Sequence, residues 1–255
     1  MAHTAFEDLT VGDGPAVTSE RQDVVFSVVI ADGATGETLV ASPTEVRPLS
    51  GWSEHYAGLA DMMQCATEGS RIVGAIPFEG LSAEAATSMG IEEGESVAVV
   101  LDLQRVYLAA ADGAPQYNDR PGMPSVVLAP DGVPGIIVPD AQPPAELAVE
   151  VLKRGDGAEV TADDSIRIHY TGLTWDDRTV FDSTWEKGAS AAVTLDGVVP
   201  GFAQALEGAT VGSQILAVIP PDLGYGDEGS GSIPGGATLV FVIDVLGIDT
   251  PTATS

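Results

Sequence analysis

The spacing of hydrophobic and polar positions changes sharply within residues 201–234 of the chain. Phe202, Leu206 and Ala209 lie about one helical turn apart, which predicts a short helix with one buried face. Glycines follow these positions and end the predicted helix. Residues 214–219 then form an alternating, β-rich run, so they predict a strand directly after the helix.

The predicted strand ends at Pro220-Pro221, because proline has no amide hydrogen to donate to a neighbouring strand. A glycine-rich loop follows, and it carries one aromatic residue, Tyr225, and the aliphatic Ile233. A short helix, a strand and a loop with an exposed tyrosine together predict a shallow apolar pocket with few polar groups.

The same pattern occurs earlier in the chain, at residues 58–77. Aligned without gaps on residues 201–220, this segment has the same residue at nine positions. Each copy is followed by a further hydrophobic, β-rich segment. The repeat predicts two copies of one domain, over residues 6–110 and 145–249.

Residues 111–144, between the two copies, are rich in proline and glycine. Two β-rich segments, 125–128 and 135–138, flank Asp131-Gly132, a dipeptide that favours a tight hairpin turn. Prolines then stiffen the chain towards the second copy. We therefore expect a small hairpin packed beside one domain, followed by a short linker.

The charge of the chain restricts its partners. The sequence has 38 acidic and 10 basic residues, which gives a formal net charge of −28 at pH 7. Nucleic acids and anionic membranes require a basic surface, so neither is expected as a partner. The acidity itself is typical of a soluble surface or a saline habitat. No run of 18 apolar residues occurs, so no transmembrane segment is expected.

The residues that commonly hold metals are sparse. The single cysteine, Cys65, excludes an intrachain disulfide, and its apolar helical surroundings predict a buried thiol. His3, His55 and His169 lack the spacing of zinc ligands. The glycines of residues 224–236 are not followed by the Lys-Ser/Thr pair of a phosphate-binding loop. No metal and no cofactor is therefore expected.

Motifs in the second copy resemble those of FKBP-type peptidyl-prolyl cis-trans isomerases, in the family's order and at its spacing. They are residues 160–172 (VTADDSIRIHYTG), 180–183 (VFDS), 198–202 (VVPGF), 219–226 (IPPDLGYG) and 233–246 (IPGGATLVFVIDVL). The resemblance implies an α+β fold of two FKBP-like domains, each a twisted antiparallel sheet wrapped around a short helix.

The resemblance also implies a proline site between the sheet and the helix. It implies catalytic roles for Tyr170, Phe181, Asp182 and Tyr225. It implies that the substrate-binding walls are Val198, Val199, Phe202, Ile233 and Phe241. The implied partners are proline-containing polypeptide clients and macrolide inhibitors of the family.

Three positions depart from the commonest pattern of the family. Phe202 stands where many members have a tryptophan at the base of the pocket. Ala191 falls where an aromatic residue often closes one side, and Lys187 replaces the usual arginine partner of Asp182. An open side and a weaker ion pair would reduce macrolide affinity more than isomerase activity.

The residue types in the implied pocket suit a reaction without a nucleophile, a metal or a proton shuttle. Amide resonance gives the X-Pro bond a barrier of ~18–20 kcal/mol. An apolar pocket removes the water that stabilises the polar planar amide, and so favours the twisted state. Phe181, Phe202 and Phe241 would hold the pyrrolidine ring, while the hydroxyl of Tyr225 would hold a substrate carbonyl.

The first copy keeps the scaffold pattern but lacks the pocket residues. The repeat alignment puts aliphatic side chains where the second copy has Tyr170, Phe181, Asp182 and Phe202; they are Val29, Val40, Ala41 and Leu59. Residues 78–91 contain no Tyr-Gly dipeptide. We therefore expect the first domain to be non-catalytic.

Two other classes of function stand beside an active isomerase that assists protein folding. A non-catalytic chaperone module would use the same pocket to hold proline segments with little turnover. An acidic hydrolase would need two carboxylates spaced across a cleft, whereas pairs such as Asp163-Asp164 lie in predicted turns. The acidic tandem sequence also resembles secreted or lipid-anchored proteins of Gram-positive bacteria whose leader has been removed, so an extracytoplasmic location is expected ahead of a cytoplasmic one.

Overall fold

The computed structural model describes residues 3–43, 46–117 and 120–249. The protein divides into two compact units, Met1–Ala109 and Ala110–Ser255. Each unit has its own antiparallel sheet and its own buried core. Residues 110–144 belong to the second unit, which is therefore longer than the predicted range of 145–249.

The first unit consists of an antiparallel sheet with short helices between some of its strands. Its elements, in chain order, are β1 (Ala5–Thr10), β2 (Asp23–Asp32), β3 (Thr38–Pro43), β4 (Arg47–Pro48), α1 (Leu49–Ser53), α2 (Ala57–Met63), β5 (Arg71–Pro77), α3 (Ala83–Met89) and β6 (Ser96–Val106). The strands lie in the order β1-β5-β6-β2-β3, and β4 pairs with β2.

The second unit begins with a short strand and a hairpin and then repeats the plan of the first. Its elements are β7 (Ala114–Pro115), β8 (Ser125–Leu128), β9 (Pro134–Ile137), β10 (Ala148–Arg154), β11 (Ser165–Thr174), β12 (Val180–Ser183), α4 (Thr184–Lys187), β13 (Ala191–Thr194), α5 (Pro200–Leu206), β14 (Gln214–Ile219) and β15 (Leu239–Asp249). The strands lie in the order β12-β11-β15-β14-β10-β7, and β13 pairs with β11.

The two sheets therefore share one topology, in which β10, β14, β15, β11, β12 and β13 correspond to β1, β5, β6, β2, β3 and β4. The register shifts at the same place in both sheets, because β6 and β15 each have one extra residue, Gln104 and Leu246, opposite β2 and β11. In each unit a short helix, α2 or α5, buries its apolar residues in the core on one face of the sheet. The predicted α+β fold of two similar domains, each an antiparallel sheet with a short helix on one face, is confirmed.

Both of these helices lie very close to the neighbouring strand. A Cβ atom on Gly201 would lie 2.4 Å from Ile219 Cγ2 in β14, and one on Gly58 would lie 2.4 Å from Ile76 Cγ2 in β5. Any larger residue would force the helix away from the sheet, because side-chain carbon atoms pack at about 3.5–4.0 Å. Glycine at these two positions lets the helix seat on the strand, and it explains why both copies have it.

The opposite face of the second sheet is covered as well. The hairpin β8–β9 places Val126 in a hydrophobic cluster with Trp175, Val240 and Val242, all three of which are buried. The indole nitrogen of Trp175 donates a hydrogen bond to the carbonyl oxygen of Ala141 at 3.0 Å. Residues 123–141 thus complete the packing of this sheet.

A buried carboxylate holds the beginning of this covering segment. Asp244 of β15 accepts hydrogen bonds from the Ala111 backbone nitrogen at 2.8 Å and from Gln214 Nε2 at 2.7 Å. Lys153 Nζ donates to the carbonyl oxygen of Ala111 at 2.7 Å. Burial raises the pKa of Asp244, against the effect of these hydrogen bonds.

Strand pairing corrects the alignment of the first copy by one residue. Tyr170 lies opposite Ile243 in the second sheet, and the residue in the matching position of the first sheet is Val28, opposite Leu101. Val28 is buried, whereas Val29 faces away from the core and is 43% exposed. A shift of one residue moves a strand side chain to the other face, so loops of unequal length between the copies are enough to mislead an alignment.

The same shift applies to the next strand. Val40 pairs with Ile30 just as Asp182 pairs with Gly172, so Val40 corresponds to Asp182 and Leu39 corresponds to Phe181. Leu39 and Val40 both pack against the core of the first unit. The expectation that aliphatic residues replace the pocket residues therefore stands, with Val28, Leu39 and Val40 as the residues concerned.

Cys65 also differs from its prediction. Helix α2 ends at Met63, and Cys65 follows it in a left-handed conformation with φ of 67°. Its thiol is exposed, because the chain turns here towards β5 and no longer follows the helical period that predicted burial.

Candidate functional site

A cavity of about 520 Å³ lies in the second unit. Strands β11, β12 and β15 form part of its wall, together with the start of α5 and the loop between β14 and β15. The structure brings all nine residues expected at the site into this lining; they are Tyr170, Phe181, Asp182, Val198, Val199, Phe202, Tyr225, Ile233 and Phe241.

Four aromatic rings form the base of the cavity. The ring of Phe241 lies at the centre, with centroid distances of 5.0 Å to Phe202, 5.5 Å to Phe181 and 6.1 Å to Tyr170. The contacts with Phe202 and Phe181 are edge-to-face, at interplanar angles of 86° and 80°. This arrangement is favourable for aromatic pairs and fixes the rings relative to one another.

Glycine at position 172 makes room for these rings. Gly172 of β11 lies opposite Phe241 of β15 and Asp182 of β12. A Cβ atom on Gly172 would lie 2.6 Å from Phe241 Cε1 and 2.7 Å from Phe181 Cζ. The two phenylalanine rings therefore occupy space that a side chain at position 172 would fill.

A polar chain of three side chains borders the aromatic base. The hydroxyl of Tyr170 donates a hydrogen bond to Asp182 Oδ2 at 2.7 Å. Lys187 Nζ lies 2.5 Å from Asp182 Oδ1, and the Lys187 side chain is largely exposed. Asp182 therefore links a half-buried phenol to a cation at the surface.

The same contacts determine the protonation states of Asp182 and Tyr170. Partial burial alone would raise the pKa of Asp182, but the hydrogen bonds from Lys187 and Tyr170 outweigh it, and the pKa is lowered. Burial, followed by the hydrogen bond to Asp182, raises the pKa of Tyr170. The pair therefore persists as a phenol that donates and a carboxylate that accepts.

The loop between β14 and β15 completes the cavity. Tyr225 is 38% exposed, and none of the residues that the structure describes is hydrogen-bonded to its hydroxyl. Ile233 is buried, and it pairs with Ser230 in an isolated β-bridge. The loop thus offers the free hydroxyl of Tyr225 above an aliphatic wall.

Comparison with known proteins assigns this chain to a family. A family model described as "FKBP-type peptidyl-prolyl cis-trans isomerase" matches residues 157–246. A protein of Corynebacterium glutamicum named "Probable FK506-binding protein" is 34% identical over 113 residues, which are 44% of this chain and 96% of that protein. The chain belongs to the FKBP-type peptidyl-prolyl cis-trans isomerase family. The resemblance indicated by the sequence motifs is confirmed.

Longer FKBP-type isomerases are similar over only part of their length. The isomerase FkpA of Aeromonas hydrophila is 41% identical over 107 residues, which are 42% of this chain and 40% of that protein. The crystal structure of FkpA from Escherichia coli is similar at 29% identity and a TM-score of 0.40, over 51% of this chain and 53% of that chain.

The cavity of this FKBP-type isomerase also has lining residues that the motifs did not indicate. They are Val193, Asp196, Gly197, Ser230, Gly231 and Ser232. Five of them directly precede Val198 or Ile233 in the sequence, so extending the motifs by a few residues would have found them. Val193 had no such signal, because it enters the lining through the pairing of β13 with Ile166 in β11.

Two further findings concern the rest of the isomerase. Within residues 3–43, 46–117 and 120–249, no helix is long and apolar enough to span a membrane. In the same described ranges, no three His, Cys, Asp or Glu side chains are grouped in a way that could hold a metal ion.

Proposed function

We propose that the cavity of the second unit catalyses cis-trans isomerisation of X-Pro bonds in polypeptide clients and so assists their folding. The observation that supports this proposal is the convergence of four aromatic rings and one free tyrosine hydroxyl on a single cavity. The proposed substrates are proline-containing segments of other polypeptides.

Desolvation is the proposed source of catalysis. Amide resonance creates the barrier of ~18–20 kcal/mol, and it places negative charge on the carbonyl oxygen, which water stabilises. Phe202 and Phe241 are buried at the base of the cavity, so a proline ring bound there would lose contact with water. Stabilising the twisted amide by ~5–8 kcal/mol would accelerate the reaction by roughly four to six decades.

Two polar groups would hold the substrate during rotation. The free hydroxyl of Tyr225 would donate to a substrate carbonyl and fix one side of the rotating bond. The second polar group would be the hydrogen-bonded pair of Tyr170 and Asp182, in which Lys187 holds Asp182 in place. No nucleophile and no proton transfer is required.

We propose that the first unit is not catalytic. At the positions of Tyr170, Phe181 and Phe202 it has Val28, Leu39 and Leu59, all packed in or against its core. Helix α3 occupies the chain segment that corresponds to the loop carrying Tyr225, and it buries two alanines in that core. Neither a ring-lined base nor an exposed tyrosine is available there.

FK506, the compound in the name of the Corynebacterium relative, is a candidate inhibitor of the same cavity. Lys187 forms the ion pair that family members usually make with arginine, and it does so with a single ammonium group instead of a planar fork. Ala191 lies outside the lining. We therefore expect FK506 to inhibit this protein more weakly than it would inhibit a family member with arginine at position 187 and an aromatic residue at position 191.

Variants in the two units test the proposal in the full-length protein. Isomerisation of an Ala-Ala-Pro-Phe peptide is followed by NMR exchange. Tyr225→Phe should reduce kcat/KM by about three- to tenfold, because one hydrogen bond is lost. Phe181→Ala should reduce it by about tenfold or more, because the ring also loses its packing on Phe241. Val28→Ala and Leu39→Ala in the first unit are the matched controls and should leave it unchanged.

The outcome also separates the isomerase from a chaperone module that only binds. Peptide binding without exchange above the uncatalysed rate would favour the binding module. Equal losses from variants in both units would contradict the division of roles between them.

A further inference from the structure

The rim of the cavity carries an uncompensated negative charge. The lining includes two carboxylates, Asp182 and Asp196, and no lysine, arginine or histidine. Asp182 is compensated by Lys187 and by the hydroxyl of Tyr170. Asp196 has no ion pair or hydrogen-bond partner for its side chain among the residues that the structure describes.

The position of Asp196 suits contact with a bound substrate. It lies in the 3-10 turn Leu195–Gly197, directly before the wall residue Val198, and it is exposed. The lining residues 230–232 are small and neutral, and the loop segment 226–232 has two acidic residues and no basic one. A charged side chain beside the bound proline would therefore meet a carboxylate and no competing cation on the lining.

We propose that Asp196 gives this isomerase a preference for proline segments that have lysine or arginine near the proline. The inference rests on the proposed function, since it concerns substrates of the same cavity. An exposed carboxylate favours a cationic partner only modestly, so the expected preference for lysine over glutamate is about two- to fivefold. The net charge of −28 also attracts cationic peptides, but it acts at a distance and is screened by salt.

The test measures exchange rates and affinities of matched peptides with the full-length protein. Each peptide has one proline, with lysine, glutamate or alanine either directly before it or two positions after it. NMR exchange gives kcat/KM, and shift titration of the same samples gives Kd. All measurements are made at physiological ionic strength, so that distant charges contribute little.

Variants at one position and a control at another isolate the local carboxylate. Asp196→Asn should bring the lysine-to-glutamate ratio close to one, and Asp196→Lys should reverse the preference. Asp222→Asn is the matched control, because it removes one exposed carboxylate of the same unit that is not in the lining. It should keep the ratio of the unaltered protein.

Each result decides between defined alternatives. Equal rates and affinities for all charged peptides would overturn the inference while leaving the isomerase intact, provided that the alanine peptides are turned over. A lysine preference that Asp196→Asn and Asp222→Asn reduce equally would assign it to the overall charge and also overturn it. Binding that prefers lysine through Asp196 without turnover would support the inference and contradict the proposed catalysis.

Discussion

Phe241 contacts each of the other three rings at the base of the cavity, and it is 5% exposed. Its place depends on a neighbour with no side chain, Gly172, on the adjacent strand. The rings can pack in this way only because residue 172 has no Cβ atom. Substitution of that glycine tests this dependence directly.

Gly172→Ala should lower both stability and activity. The new Cβ atom would lie 2.6 Å from Phe241, and the rings of Phe241 and Phe181 would have to move. We expect the second unit to lose about 1–3 kcal/mol of unfolding free energy, as in other overpacked cores. Urea unfolding followed by circular dichroism measures this loss, and NMR exchange measures the fall in kcat/KM.

Gly135→Ala is the control for this substitution. Gly135 lies in strand β9, where an added Cβ atom would have its nearest neighbour at an ordinary 3.4 Å. We expect a change within about 0.5 kcal/mol and normal turnover. A Gly172→Ala protein with unchanged turnover would show that the arrangement of the rings does not control the reaction.

The pKa shifts of Tyr170 and Asp182 predict a flat pH profile for the isomerase. The lowered pKa of Asp182 keeps it ionised below the ordinary carboxyl range, and the raised pKa of Tyr170 keeps it protonated above the ordinary phenol range. Stabilisation by Asp182 is thus present above about pH 4 and is lost as pH falls through its lowered pKa. Stabilisation by Tyr170 is present below about pH 10 and is lost as pH rises through its raised pKa.

We therefore expect constant kcat/KM between about pH 5 and 9. Exchange rates in buffers of equal ionic strength measure the profile, and circular dichroism at each pH confirms that the protein is folded. A bell-shaped profile centred near neutral pH would indicate general acid-base catalysis and contradict desolvation as the mechanism.

At the scale of elements, the two units differ most in the segment before their last strand. In the second unit this segment is glycine-rich, with left-handed glycines at 226, 229 and 231, and it leaves Tyr225 exposed. In the first unit Ser82 caps helix α3 by accepting a hydrogen bond from Ala85, and α3 packs into the core. The segment before the last strand therefore borders an open cavity in the second unit, whereas in the first unit it forms a packed helix.

Local chemistry made the second of these units predictable. Proline after β14, glycines in the following loop and aromatic residues spaced along the strands each restrict the backbone or the core in a recognisable way. The nine residues of the candidate site were expected from the resemblance of its motifs to the FKBP family, and all nine line the cavity. Asp196 lies two residues before the motif that begins at Val198, so a longer motif would have included it, but an exposed acid in a turn is common and only the cavity shows that it lies in the lining.

Pairing between strands was harder to predict than the strands themselves. The repeat located β2 and β3, but one residue of register decided whether Val28 or Val29 faces the core. The sequence predicted a hairpin packed beside one domain, but it did not indicate that this domain is the second. This assignment depends on contacts of the hairpin with Trp175 and Val240, which are distant in sequence.

At the scale of the whole molecule, these contacts define where the second unit begins. A fragment of residues 145–249 would lack the hairpin and would expose Trp175 and Val240 to water. We expect it to unfold at a temperature lower than that of a 110–249 fragment by on the order of 10 °C. Thermal unfolding followed by circular dichroism measures the difference.

Point variants of the full-length protein serve as controls for this truncation. Val126 packs in the cluster with Trp175, whereas its neighbour Val127 is 60% exposed. Val126→Asn should therefore cost about 1–3 kcal/mol, and Val127→Asn less than about 0.5 kcal/mol. Equal melting temperatures for the two fragments would mean that the hairpin is not part of the folding unit.

The matched backbone of the two units has a practical consequence for future measurements. Val28, Leu39 and Leu59 stand where the second unit has Tyr170, Phe181 and Phe202. Every sample of the protein thus contains an internal reference, at equal concentration and in the same solvent, that has the architecture of the isomerase without its aromatic base. Under the proposed division of roles, peptide-induced signals that arise in both units report nonspecific association, and those confined to the C-terminal unit report recognition of proline.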